Sequence, residues 1–186
     1  MNAKDFELKL SRYVRTESDM DQRIRSLRET ENVFPSARGR HSPDLNAREA
    51  TLMLLTLAPC KSVDGGKVAS RVNMLPVVPR DGIDVCGTFS DFLSGLINEQ
   101  GGAYRAGVDR VEILEDGSAA HVYFKDGRKL LFSADSIHWN QPSNSYDFMG
   151  ESRPERRLRV SFGFIDQIEI WLNSPEIGAL LSDCAP

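Results

Sequence analysis

The chain has 186 residues, with 27 acidic and 23 basic side chains, a formal net charge of -4 and a hydrophobic content of 40%. This composition is ordinary for a globular protein, and it excludes a fibrous chain or a uniformly basic nucleic-acid coat. The length allows one domain or two small ones. The net charge is +2 over residues 1–48 and -6 over residues 49–186. A local basic surface in the first part is therefore compatible with the acidic total.

The first thirty residues carry apolar side chains at helical spacing, which predicts two short helices joined by a tight turn. The first helix is marked by an apolar stripe: Phe6, Leu10, Tyr13 and Val14. The second is predicted to run from Ser18, as the N-cap, to about Glu31. Its apolar stripe consists of Met20, Ile24 and Leu27.

The next segment, between Val33 and Leu45, holds two prolines, a glycine and several basic or titratable side chains. These residues exclude a regular helix and predict a basic loop or wing. Asn46 followed by Glu49 matches a capping box and predicts an apolar third helix that ends at Pro59. A fourth helix is predicted from about residue 63 to residue 75.

The second part of the chain changes from helical to alternating periodicity. The segment Pro76–Gly87 is rich in proline and glycine and predicts a boundary between domain 1–76 and domain 77–186. Thr88 opens a predicted helix, and two Asp-Gly pairs between β-rich runs then predict an antiparallel meander. A fourth strand is predicted from alternating residues: Leu158, Val160, Phe162 and Phe164. The segment after it fits either a helix or a longer strand.

Catalytic signatures are mostly absent from the sequence. Asp64-Gly65-Gly66-Lys67 lacks the glycine spacing and the Ser or Thr of a phosphate-binding loop. The three histidines share no metal-ligand spacing: His41, His121 and His138. The three cysteines form no Cys-x-x-Cys pair and are expected to be reduced apolar residues: Cys60, Cys86 and Cys184. We therefore expect a protein that is not an enzyme and holds no metal or cofactor.

The second predicted helix carries the most informative polar residues. Burial of its apolar stripe turns the opposite residues to solvent: Ser18, Gln22, Arg25, Ser26 and Glu29. Glutamine and arginine can form bidentate hydrogen bonds with adenine and guanine edges in the major groove. The loop arginines Arg38 and Arg40, with His41, are suited to phosphates or a narrow minor groove. Arg48 can add a phosphate contact where the third helix begins.

The N-terminal pattern resembles a known module. A helix, a turn and an exposed helix are followed by the Phe34-Pro35 stop, the basic loop Arg38-Gly39-Arg40-His41 and the helix opening Leu45-Asn46-Ala47-Arg48-Glu49. Residues 4–58 thereby resemble the winged helix-turn-helix of MerR-type regulators and of small phage and prophage regulators. The resemblance implies base contacts from Gln22 and Arg25 and backbone contacts from Arg38 and Arg40.

Two features depart from that family. Acidic residues cluster where the second helix begins, and they stabilise the helix dipole but repel phosphates: Glu17, Asp19 and Asp21. Nothing after Pro76 matches the effector domains of the family. The expected fold class is α+β, with a helical winged helix-turn-helix followed by an antiparallel meander packed on a helix.

The second domain offers two ways to bind a partner. Large apolar side chains in the polar loop 135–154 either anchor that loop or form a partner surface: Trp139, Tyr146 and Phe148. The acidic domain with its sheet edge suits a homodimer, because regulators bind paired half-sites as two-fold dimers.

These observations favour a cytoplasmic, sequence-specific DNA-binding transcriptional regulator, of the phage or prophage type and acting as a dimer on double-stranded DNA. No apolar run approaches the length of a membrane span, and the charged N-terminal residues do not resemble a secretory signal. The alternative is a protein-interaction module, such as a phage-encoded inhibitor of a host protein, that does not bind DNA. A third interpretation, a ligand-binding or enzymatic domain in residues 88–186, predicts a deep pocket that gathers His121, His138 and carboxylates.

Overall fold

A computed structural model describes residues 1–14, 16–30, 44–78, 87–98, 107–134 and 157–173. The chain has the mixed α+β architecture expected from its sequence. The described helices are α1 (Ala3–Ser11), α2 (Glu17–Thr30), α3 (Ala47–Leu55), a 3₁₀ turn (Ser62–Asp64), α4 (Gly65–Asn73), α5 (Phe89–Ile97) and α6 (Phe162–Asn173). The strands are β1 (Val108–Leu114), β2 (Ala119–Phe124), β3 (Lys129–Ser133) and β4 (Arg157–Ser161).

Side chains cap the helices close to the predicted positions. The capping box at α3 is present, since the Asn46 side chain accepts from the Glu49 amide and the Glu49 carboxylate from the Asn46 amide, both at 2.9 Å. The prediction that Ser18 caps α2 is wrong. The Thr16 hydroxyl accepts from the Asp19 amide at 3.1 Å instead, and Ser18 lies inside the first turn. Helix α3 also ends at Leu55, before Pro59.

The strands form one antiparallel sheet in the order β3-β2-β1-β4. The predicted meander is confirmed, because the two Asp-Gly pairs form the turns between β1 and β2 and between β2 and β3. Gly117 and Gly127 in these turns have φ values of 73° and 87°, a backbone region that glycine adopts without strain. The pairing puts Val111, Val122 and Val160 side by side on the inner face of the sheet.

The fourth predicted strand is correct only in its first half. Strand β4 ends at Ser161, and Phe162 and Phe164 belong to α6. The Ser161 hydroxyl accepts a 3.4 Å hydrogen bond from the Phe164 amide near the start of that helix. Of the two structures that fit the sequence after Ser161, the helix is the one formed.

The helices cover the inner face of the sheet and share one buried core with it. The rings of Phe89 and Phe92 in α5 lie 5.2 and 5.5 Å from the ring of Phe132 in β3. The Thr51 and Ser94 hydroxyls, on α3 and α5, are 3.2 Å apart, so the two parts of the chain are in contact. The division at residue 76 stays a prediction. Within the described ranges, no helix is both long and apolar enough to cross a membrane.

Candidate nucleic-acid interface

Helix α2 is anchored by a buried arginine. The Arg23 side chain is 5% exposed, and its guanidinium donates to the carbonyls of Thr56, Pro59 and Cys60, which follow α3. Its Nε also lies 3.3 Å from the Asp19 carboxylate one turn earlier. Arg23 therefore satisfies backbone carbonyls beyond the end of α3, and its charge is not available to a phosphate.

A second side of α2 is covered by α4. The Ser26 hydroxyl donates to the Val63 carbonyl at 2.8 Å and accepts from the Gly66 amide at 3.0 Å. A side chain at Gly66 would collide with the Ser26 backbone, so only glycine permits this approach. The expectation that Ser26 faces solvent is wrong, because α4 packs against a side of α2 that the apolar stripe does not mark.

The side of α2 that faces away from Arg23 and Ser26, here called the α2 outer face, carries exposed and half-buried residues: Glu17, Ser18, Asp21, Gln22, Arg25, Arg28 and Glu29. Ser18, Arg28 and Glu29 are exposed, Gln22 is half-buried, and the Arg25 side chain is 64% exposed. The Arg25 guanidinium lies 2.7 Å from the Asp21 carboxylate. Its charge is thus balanced within the helix. Among the described residues, Arg28 forms no ion pair.

Arg48 lies away from that ion pair, in the first turn of α3. It is exposed, and its charge acts on Asp91 at the start of α5. The Thr88 backbone amide, then the Thr88 hydroxyl and then Arg48 lower the pKa of the Asp91 carboxyl. Arg23 contacts the residues that follow the opposite end of α3, about 12 Å along that helix from Arg48. The described contacts do not bring Arg48 to Ser18, Gln22 or Arg25.

Several predicted site residues lie outside the described residues. The loop group Arg38, Arg40 and His41 belongs to the segment between Thr30 and Asp44. The partner-surface group Trp139, Tyr146 and Phe148 lies between β3 and β4, also outside the described ranges. The residues that flank this segment are described: Thr30, the last residue of α2, lies two residues after exposed Arg28, and Asp44 lies four residues before exposed Arg48.

Sequence reasoning missed two arginines of α2. Arg28 follows Arg25 by three residues, so the helical spacing used for Gln22 and Arg25 includes it as well. Arg23 precedes the buried Ile24, and its burial depends on carbonyls more than thirty residues away. No local pattern distinguishes it from the exposed arginines.

The ligand-binding interpretation predicts a pocket that gathers histidines and carboxylates. His121 lies in β2, opposite Glu112 of β1, on the outer face of the sheet. Two clefts lined by described residues contain no histidine, and His138 lies outside the described ranges. No group of three or more His, Cys, Asp or Glu side chains in the described part of the chain is arranged to hold a metal ion.

The chain was compared with models of known protein families, with curated proteins and with solved structures. None of the three comparisons found a match.

Proposed function

We propose that this chain is a sequence-specific DNA-binding transcriptional regulator of the phage or prophage type, cytoplasmic and dimeric, with residues 4–58 as a winged helix-turn-helix. The observation that carries the proposal is the α2 outer face, where half-buried Gln22 and exposed Arg25 and Arg28 follow one another at intervals of three residues. These residues span about 9 Å along the helix, close to three base steps of about 3.4 Å.

Rigid support of α2 favours this role. A helix that reads base edges must keep its position while its outer side chains exchange water for DNA, and the contacts of Arg23 and Ser26 hold α2 against α3 and α4. The exposed Arg28 then lies beside the start of the segment that carries Arg38 and Arg40. Along the chain, the proposed base-reading side chains of α2 are thus followed by cations suited to neutralise phosphates.

The ion pair between Asp21 and Arg25 sets the cost of DNA binding. Arg25 must leave Asp21 to reach a base or a phosphate, and Glu17, Asp21 and Glu29 repel the DNA backbone. Glu17 and Asp21 lie toward the N-terminal end of α2 and Glu29 in its last turn, so we expect DNA contact to concentrate between Gln22 and Arg28. Removing the acidic partner by Asp21→Asn is expected to strengthen DNA binding, whereas removing the arginine weakens it.

The test is a fluorescence anisotropy titration with duplex DNA of random sequence at low salt, repeated at several salt concentrations. The Arg25→Ala/Arg28→Ala variant should bind more weakly. The slope of its log binding constant against log salt concentration should become shallower by about one for each phosphate that the variant no longer neutralises. The control, Lys67→Ala/Lys125→Ala, removes the same charge from exposed residues elsewhere and should change affinity much less. Equal losses of affinity in the two double variants would argue against an interface on α2.

The remaining assignments are tested with the same titration. Replacing Arg38 and Arg40 together by alanine should weaken binding to every duplex and flatten the salt dependence, which identifies backbone contacts. Gln22→Ala should instead relax the preference among defined base sequences. The oligomeric state is measured by light scattering with and without DNA, and a monomer on a single half-site would contradict the proposed dimer.

One observation favours the alternative, a protein-interaction module without DNA binding. The α2 outer face carries three acidic residues against two arginines, and one of the arginines is already paired. A mixed face of this kind suits a protein partner of complementary charge. If neither the wild type nor Asp21→Asn retains duplex DNA at low salt, this second function is supported and the first is refuted.

A further inference from the structure

The α3–α4 connection, residues 56–61, is tied to the sheet at the backbone amide of Cys60. This amide donates to the Glu115 carboxylate at 3.0 Å. Glu115 is half-buried and directly follows Leu114, the last residue of β1. The preceding residue of the connection, Pro59, has no amide hydrogen to donate. The contact with Glu115 therefore fixes an irregular part of the chain to the end of a strand.

The same connection holds α2. The acceptors of the Arg23 guanidinium are three carbonyls of this connection, those of Thr56, Pro59 and Cys60. Cys60 thus binds two long side chains, that of Arg23 through its carbonyl and that of Glu115 through its amide. A displacement of the Cys60 backbone would change the geometry of the Arg23 contacts.

Glu115 is itself held in place by its neighbours. The strand before it pairs with β2 on one side and with β4 on the other. In the turn after it, the Asp116 carbonyl accepts a 2.8 Å hydrogen bond from Arg71 of α4. The next residue, Gly117, lies so close to α4 that an added side chain would press against it. The Glu115 backbone is therefore a fixed anchor for the contact with Cys60.

We propose that Glu115 is a positioning residue for α2. Its carboxylate orients the Cys60 backbone, and the carbonyls of the connection orient the Arg23 guanidinium. Arg23 in turn sets the position of α2, so the end of β1 contributes to that position through the α3–α4 connection. The consequence for DNA rests on the proposed function, because side chains that read bases must be held in position by their supporting contacts.

A second contact of α2 limits what the loss of Glu115 can do. The Ser26 hydroxyl bonds to the Val63 carbonyl and to the Gly66 amide, and neither bond involves Glu115. Loss of the Glu115 carboxylate should therefore loosen the packing around Arg23 while the Ser26 contacts persist. The expected effect is local, which distinguishes positioning from a general loss of stability.

Exchange of N–H protons with water, measured by NMR on the full chain without DNA, tests this coupling. In Glu115→Ala the Cys60 amide loses its acceptor and should exchange about tenfold faster or more. The Arg23 Nε–H should exchange about threefold faster or more, whereas the Gly66 amide should keep its wild-type rate. An unchanged rate at Cys60 or at Arg23, or an equal acceleration at Gly66, overturns the proposal.

A conservative variant separates the hydrogen bond from the charge. In Glu115→Gln the side-chain carbonyl can still accept from the Cys60 amide, so the exchange rates should return to within about twofold of wild type. The control Asp109→Ala removes a half-exposed carboxylate from the same strand and should leave the rates unchanged. Equal rates in Glu115→Gln and Glu115→Ala would assign the effect to charge and overturn the proposal.

A double-mutant cycle tests whether Glu115 acts through the carbonyls that bind Arg23. In Arg23→Met these carbonyls have lost their donor, so Glu115→Ala has less left to disturb. The unfolding equilibrium constant in urea is compared for the wild type, the two single variants and the double variant. We expect the increase in the double variant to fall short of the product of the single increases by about twofold or more. An increase equal to that product overturns the proposal.

DNA binding is measured on the same variants by fluorescence anisotropy. Both substitutions at Glu115 remove one negative charge, so a difference between them reports the position of α2. Glu115→Ala should bind duplex DNA about threefold or more weakly than Glu115→Gln. Equal affinities overturn the role of Glu115 in DNA binding. A wild type that binds no DNA while the exchange rates respond as expected refutes the proposed function and supports the positioning of α2.

Discussion

Replacement of Arg23 provides the most direct test of how α2 is held. The Arg23→Met variant keeps the apolar stem and removes the guanidinium, so the carbonyls of Thr56, Pro59 and Cys60 lose their donor and Asp19 loses its partner. Removing one member of a buried ionic network costs about 3–5 kcal/mol of unfolding free energy. Asp19 keeps 23% of its side chain exposed and can be hydrated, which reduces the penalty. We therefore expect the unfolding free energy to fall by about 2–4 kcal/mol.

The measurement is urea unfolding followed by circular dichroism. The matched control is Arg25→Met, on the same helix two residues later, where the arginine is 64% exposed and its single ion pair is on the surface. Such pairs contribute about 0.5 kcal/mol or less. Arg23→Lys should fall between the wild type and Arg23→Met, because an ammonium group lacks the planar fork of the guanidinium. Equal destabilisation by Arg23→Met and Arg25→Met would refute the anchoring role.

Four further substitutions test the fold. Gly66→Ala should destabilise the chain by about 1–3 kcal/mol or prevent folding, because the methyl group collides with the Ser26 backbone, whereas Gly95→Ala, in helix α5 with open space around it, should stabilise by up to about 1 kcal/mol. Thermal unfolding of the pair distinguishes the two outcomes, and similar shifts would contradict the close approach. Asp91→Ala should cost about 1 kcal/mol or less at pH 6, because the exposed capping box at the start of α5 loses its carboxylate. Thr88 lowers the folded pKa of Asp91, so this contribution is present above about pH 4. That difference should shrink as the pH falls through the folded pKa, and a difference that is constant in urea unfolding from pH 6 to pH 3 would contradict this assignment. Gly127→Ala should cost about 1–2 kcal/mol from its positive φ alone, an expectation that unchanged urea stability would disprove.

The exposed face of α2 was predictable only in part. Helical spacing identified Ser18, Gln22 and Arg25 as lying opposite the apolar stripe, and the structure leaves Ser18 and Arg25 exposed and Gln22 half-buried. The same reasoning misplaced Ser26, because a polar residue can face a neighbouring helix when its hydroxyl is satisfied there. Apolar periodicity shows which side chains are buried by apolar contacts. It gives no signal for a buried polar side chain whose hydroxyl is hydrogen-bonded to a neighbouring helix.

The sequence by itself determined the local elements of this protein. Apolar spacing marks the helices, Asn46 and Glu49 mark the start of α3, and the Asp-Gly pairs mark the two turns of the meander, because caps and turns depend on interactions within about four residues. Only the tertiary structure decided which charges are available. Arg23 is buried by carbonyls that follow α3, and β4 lies at an edge beside β1. The pair of Arg25 with Asp21 is local, since the two residues are one turn apart on α2. The uneven charge seen in the sequence is therefore a poor measure of the basic surface, since charge is neutralised by neighbours that long-range packing brings into contact.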